Sequence, residues 1–274
     1  MNKAIEIKKL GTIEVINSSV PYSQDPTSVF HTLCENKTDS LLLESAEIES
    51  KQNLTSLLLI DSAVRIVCRG HEVTFQALTK NGQALIEHLA QNVKTEIKSD
   101  LTNNVLTLTF VEPSNELDED SRLREASSFD ALRLVQHSFE QDADNKHALF
   151  MAGLFAYDIV ANFEPLGDAE ATNNCPDFVF YVAETLLRFD HQENEGLLHA
   201  SLFAQDESIK AQLTERLADI QTQCQSLKAI TEVTPLDNVD AVPSVSDEDF
   251  CQTVRDLKEY VVKGDVFQVV PSRR

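Results

Sequence analysis

Apolar residues come in short bursts along the first two hundred positions, and the spacing within each burst names an element. "SLLLES" at 40–45 reads as an apolar strand running into polar residues. "SLLLIDSAVRIVCRGHEVTFQAL" at 56–78 predicts two or three strands with a tight turn at Arg69-Gly70-His71. "NVLTLTF" at 104–110 alternates strictly, as a half-buried strand does. "DFVFYVAETLLRFDHQENEGLLHASLFA" at 177–204 predicts a long hairpin turning at "HQENEG". Helical spacing lies between these strands. Val29, Phe30 and Leu33 follow an Asp25 cap and Pro26 at the first helical position. Ala84, Leu85 and Leu89 share one side of a helix over about 82–92, and Phe129, Leu132, Val135 and Phe139 follow Ser127-Ser128. Ile209, Leu213, Leu217, Ile220 and Cys224 form the clearest amphipathic stripe. The expected class is α+β, with mostly antiparallel sheets and packed helices over a domain at 1–227.

Residues 228–245, with Pro235 and Pro243, read as a linker, after which the pattern restarts at 246–274. Ser246 is placed to cap a helix whose first turn holds Asp247, Glu248 and Asp249, where acids favour the helix dipole. Phe250, Val254, Leu257 and Val261 give it an inner face, and Lys263-Gly264 end it. Val266-Phe267-Gln268-Val269-Val270 then reads as a buried strand. One helix and one strand have no second layer to bury against. The expectation is a second domain of which only this opening unit is present; the alternative is a final strand joining the first domain's sheet.

Composition narrows the chemistry. Forty-five acidic against 23 basic residues, a formal charge of −22, disfavours nucleic acid and anionic membranes and suits a cytoplasmic protein. Cys34, Cys68, Cys175, Cys224 and Cys251 are scattered and form no C-x-x-C pair, so free buried thiols are expected. The N-terminus lacks the apolar stretch of a signal peptide. Seven glycines, none clustered, leave no phosphate cradle, and the seven histidines form no metal-ligating pair. His191 and His199 read as exposed turn and strand residues. Two short stretches stand out. Leu43-Glu44-Ser45 sets a carboxylate and a hydroxyl where an apolar strand ends, suited either to a small zwitterion or to turn chemistry. Arg273-Arg274 follow the expected last strand, suited either to a carboxylate or to solvent.

Four stretches resemble a known family: "LLLESAEIESKQNLTSLLLIDSAVRI", "LFAYDIVANFE", "NNCPDFVFYVAETLL" with "DHQ", and "GDVFQVVPSRR". Together they resemble the large subunit of anthranilate synthase, component I, in its enteric-type bacterial form, over essentially the whole chain. The resemblance implies a lyase that turns chorismate and ammonia into anthranilate and pyruvate with Mg²⁺, the first step of tryptophan biosynthesis. A glutamine amidotransferase small subunit would supply the ammonia. It also implies that 246–274 is the truncated start of a chorismate-binding domain. The catalytic residues and metal ligands would then lie outside this chain, which alone would be inactive. Feedback inhibition by L-tryptophan would use Leu43, Glu44 and Ser45 as one pocket wall, with Pro26 close by; Asp25 replaces the family's asparagine. Two other readings stand beside it: a free-standing tryptophan-sensing or subunit-docking module without chemistry, and an aminodeoxychorismate synthase relative.

Overall fold

The computed structural model describes residues 11–35, 37–45, 54–111, 118, 121, 124–140, 145–162, 175–228 and 242–274. Of the acidic stretch "ELDED" at 116–120 only Asp118 is among them, and 229–241 of the expected linker lie outside them. The elements run β1 (Glu14–Val20), α1 (Pro26–Cys34), β2 (Leu41–Glu44), β3 (Thr55–Arg69), β4 (Glu72–Ala77) and α2 (Lys80–Gln91). Then come β5 (Lys98–Thr102), β6 (Val105–Thr109), α3 (Phe129–His137), β7 (Met151–Phe155) and a 3-10 turn (Tyr157–Asn162). They close with β8 (Phe178–Asp190), β9 (Glu195–Leu202), α4 (Glu207–Cys224) and α5 (Asp247–Lys263). The chain divides into two compact units, Met1–Ile230 and Thr231–Arg274.

All nine described strands belong to the first unit and pair antiparallel, in the order β1-β9-β8-β3-β4-β6-β5, with β2 added to β3 and β7 to β8. The long strands β3 and β8 are the spine. The first half of β3 pairs with β2 and the second half with β4, while β8 accompanies it throughout. The change of partner coincides with register shifts around Asp61 and Ser62. A bulge there bends the strand and re-aims its side chains. Leu58, Leu59 and Ile60 are all buried just before it, so both faces of the strand are covered.

Helices cover the sheet through two apolar clusters. One gathers Val64, Ile66, Phe75, Leu106 and Phe178 with Leu85, Ile86 and Leu89 of α2 and Val135 of α3. The other gathers Leu58, Ile60, Leu187, Phe189 and Leu198 with Val29 and Leu33 of α1 and the whole expected stripe of α4. Asp25 caps α1 by accepting from the Ser28 amide, and Thr79 caps α2 by accepting from Gly82. Gly70, at φ 57°, makes the β3–β4 turn.

The second unit corrects one expectation. Ser246 does cap α5, and Gly264 ends it at φ 81°. Val266–Val270, however, forms no strand, and Phe267 is fully exposed. A strand requires a partner for its N–H and C=O groups; here the segment pairs with no described strand, so its backbone stays open to water. It does not join the nine-stranded sheet either. Arg273 donates to Asp247 Oδ1 at 2.6 Å and to the Val245 carbonyl at 3.2 Å, and its guanidinium lies over the Phe250 ring. That arginine is a clasp on α5. The cysteine expectation needs a smaller correction: Cys34, Cys68 and Cys224 are buried, but Cys175 and Cys251 are exposed.

Candidate functional site

β2 carries two of the four residues singled out above, Leu43 and Glu44, and Ser45 follows its last residue. The strand lies against β3 with Leu42 opposite Leu58, Leu43 opposite Leu57 and Glu44 opposite Ser56. Alternation sends Leu42 into the cluster built by α1 and α4 and leaves Leu43 41% exposed. Ser45 makes the last rung, its amide donating to the Thr55 carbonyl at 3.1 Å, and its side chain is exposed. Pro26 is buried at the first position of α1, and that helix contributes Val29 and Phe30 to the cluster shared by Leu42. Leu43, Glu44 and Ser45 are thus presented to solvent at the end of a strand that is anchored from behind.

The structure adds residues that the sequence did not flag. Ser56, 2% exposed, donates its hydroxyl to Glu44 Oε1 at 3.1 Å. His191 Nε2 lies 2.7 Å from the same hydroxyl, and Tyr22 Oη lies 2.8 Å from His191 Nδ1. Donor counting fixes the directions while His191 is neutral. Ser56 spends its proton on the carboxylate, so it accepts from Nε2–H, and Nδ1 accepts from the tyrosine. Each bond polarises the next toward Glu44. The Tyr22 ring meets His191 and Phe189 edge-on at 5.7 and 6.0 Å, which fixes the far end of this relay. His191, expected to be an exposed turn residue, is therefore half-buried and hydrogen-bonded at both ring nitrogens. His199, expected to be exposed, is buried at 4%. Its strand is covered on both faces, which alternation alone did not reveal.

A second polar cluster sits at the β3 bulge. Asp61 accepts from Lys37 at 2.5 Å, from Arg216 of α4 at 2.9 Å and from Thr185 of β8 at 2.7 Å. Burial pushes this carboxyl up, but the hydrogen bonds from Arg216, Lys37 and Thr185 outweigh it and hold the group below its ordinary 3.8. Nearby Glu184 accepts from Thr79 at 2.7 Å, and burial raises it above its ordinary 4.5. A cavity of about 340 Å³ lies between these groups and α4. Because Asp61 is already paired with Lys37 and Arg216, this cluster reads as a knot tying helix to sheet.

Among the described residues no group of three or more His, Cys, Asp or Glu side chains is placed to hold a metal. Among the same residues no helix is long and apolar enough to cross a membrane.

The first unit is thus, among the described residues, a nine-stranded antiparallel sheet packed by helices, with the polar end of β2 backed by a hydrogen-bonded relay. Residues 76–274 match the family model described as chorismate binding enzyme. The chain belongs to that family. It is 66% identical over its full length to anthranilate synthase component 1 of Vibrio parahaemolyticus, covering 50% of that relative. It is 44% identical over 96% of its length to the same component of Escherichia coli, covering 51% of it. Among solved structures, anthranilate synthase component I from Streptococcus pneumoniae aligns at 17% identity and a TM-score of 0.40, covering 81% of this chain and 41% of that one. The chain thus spans about half the length of the curated relatives it matches.

Proposed function

We propose that the chain is the N-terminal part of an anthranilate synthase large subunit, and that it carries one wall of an L-tryptophan-binding regulatory site. Glu44, Ser45 and Leu43 form that wall, and Pro26 borders it through α1. The observation that supports this most is the identity of 66% along all 274 residues to a protein of that name, read with the exposed polar end of β2. In the assembled enzyme chorismate and ammonia yield anthranilate and pyruvate, a lyase reaction with Mg²⁺ bound by residues outside this chain. A glutamine amidotransferase subunit delivers the ammonia, and the enzyme works in the cytoplasm. Glu44 suits a ligand's ammonium group, because Ser56 already holds one of its oxygens in place. Inhibition is then a coupling between two sites: tryptophan favours an arrangement that disfavours turnover.

The test is anthranilate formation from chorismate, ammonium and Mg²⁺, followed with and without L-tryptophan. The complete large subunit is expected to be active and inhibited, and the 274-residue chain inactive. Anthranilate production by the chain alone, or a complete subunit unable to make it, contradicts the proposal.

A further inference from the structure

The face of β9 opposite α4 holds a second site, unrelated to the end of β2. Asn17 of β1 lies directly across from His199, and Leu197 lies across from Arg188 of β8, so these side chains share one face. The turn Asn145–Ala148, closed by the Ala148 amide on the Asn145 carbonyl at 2.9 Å, covers them. It brings Lys146 and His147 over the strands. The cleft between has a volume of about 210 Å³ and is lined by Asn17, Lys146, His147, Arg188, Leu197 and His199, among others. That is several times the roughly 30 Å³ that a water molecule occupies in the liquid. None of its described lining residues is a carboxylate, in a chain of net charge −22. Asp190 lies beside the cleft, its Oδ2 3.8 Å from Arg188 Nη1. Two permanent cations, two imidazoles and two side-chain amides converging on one cleft make a donor set for an oxyanion.

We infer that this cleft binds a small dianionic oxyanion of the phosphate or sulfate type, held by Arg188, Lys146 and the two imidazoles. The rings of His147 and His199 stack at 6.4 Å between centroids, 18° from parallel. His199 Nε2 donates to the His147 carbonyl at 3.2 Å. In the neutral ring Nδ1 is then the unprotonated nitrogen, and protonation there adds a donor. Empty, the cleft resists that proton: burial, opposed by the bond to the His147 carbonyl and helped by His147 and Arg188, brings His199 down to about 4. Burial and then Arg188 and Lys146 also lower His147. A dianion reverses the charge these rings face, so binding takes up protons and tightens as pH falls toward the empty-site values.

The experiment follows the histidine ring signals by NMR during titration of the 274-residue chain with sulfate, whose charge is constant across this range, against chloride at equal ionic strength. Saturable shifts of His147 and His199, larger at pH 5.5 than at pH 7.5, are expected with sulfate alone. Arg188→Gln and Lys146→Gln are each expected to weaken binding about tenfold or more, as the loss of a charged hydrogen bond does. Lys146 is exposed, so its replacement tests the site without risk to the fold. Equal shifts with chloride, or wild-type affinity in the Lys146 variant, overturn the inference.

Discussion

The relay behind Glu44 shows how single residues set the character of the β2 end. Replacing His191 with Phe removes a partner from both Tyr22 and Ser56, and unfolding in urea is expected to show a loss of about 1–2 kcal/mol. In the complete subunit the same change is expected to weaken tryptophan inhibition and leave uninhibited turnover unaltered, because Glu44 loses the group that orients its partner. At the β3 bulge, Asp61→Asn breaks a largely buried charge pair. The cost is expected at about 2–3 kcal/mol, below the ~3–5 for a fully buried pair because about a fifth of the side chain meets solvent. The two carboxyls there respond to pH with opposite signs. Asp61, held low, gives stability that is complete above 3.8 and fades as pH falls through its lower folded value. Glu184, held high, costs stability as pH rises from 4.5 through its folded value. Glu184→Gln is therefore expected to lose less stability than wild type between pH 4.5 and pH 7.5, measured as urea midpoints. The polar end of β2 was legible in the sequence because a carboxylate and hydroxyl interrupt an apolar run. His191 was not, because its partners come from residues 169 and 135 positions away.

Among elements, those with a strong apolar period were legible to within a residue or two. The α4 stripe of Ile209, Leu213, Leu217, Ile220 and Cys224 is buried throughout, and β6 alternates as read. β1, β5 and β7 were missed. β5 is exposed along its whole length and β1 is mostly polar, so neither carries a buried-face pattern. Both are the outer strands of the sheet, where charged and polar side chains protect an edge. The opposite error was Val266–Val270, where β-branched content suggested a strand but no neighbouring strand pairs with it. Helix-to-sheet contact also depends on one glycine. A Cβ on Gly82 of α2 would stand 1.9 Å from the Ala63 carbonyl oxygen, which already accepts from Leu78. Gly82→Ala is expected to push α2 off β3 and cost about 3 kcal/mol, visible as a lowered Tm.

At the scale of the molecule the two units differ in what holds them. The first unit has a sheet closed over by helices on two apolar clusters. In the second, none of the seventeen residues of α5 is buried, and its stability comes from the Ser246 cap, the acidic first turn, Gly264 and the Arg273 clasp. Local capping sustains a helix of this length only marginally in water. Amide exchange is therefore expected to be orders of magnitude faster in α5 than in β3 and β8; equally slow exchange in α5 would contradict this. The class of the fold followed from sequence pattern, whereas the family and the regulatory reading required the stretches that resemble component I. The regulatory reading makes Ser45 part of the tryptophan-pocket wall beside Glu44. L-tryptophan inhibition of the complete large subunit, compared between wild type and Ser45→Phe, tests it most directly. Loss of inhibition with nearly unchanged turnover is the predicted result; a mutant inhibited as strongly as wild type would contradict it.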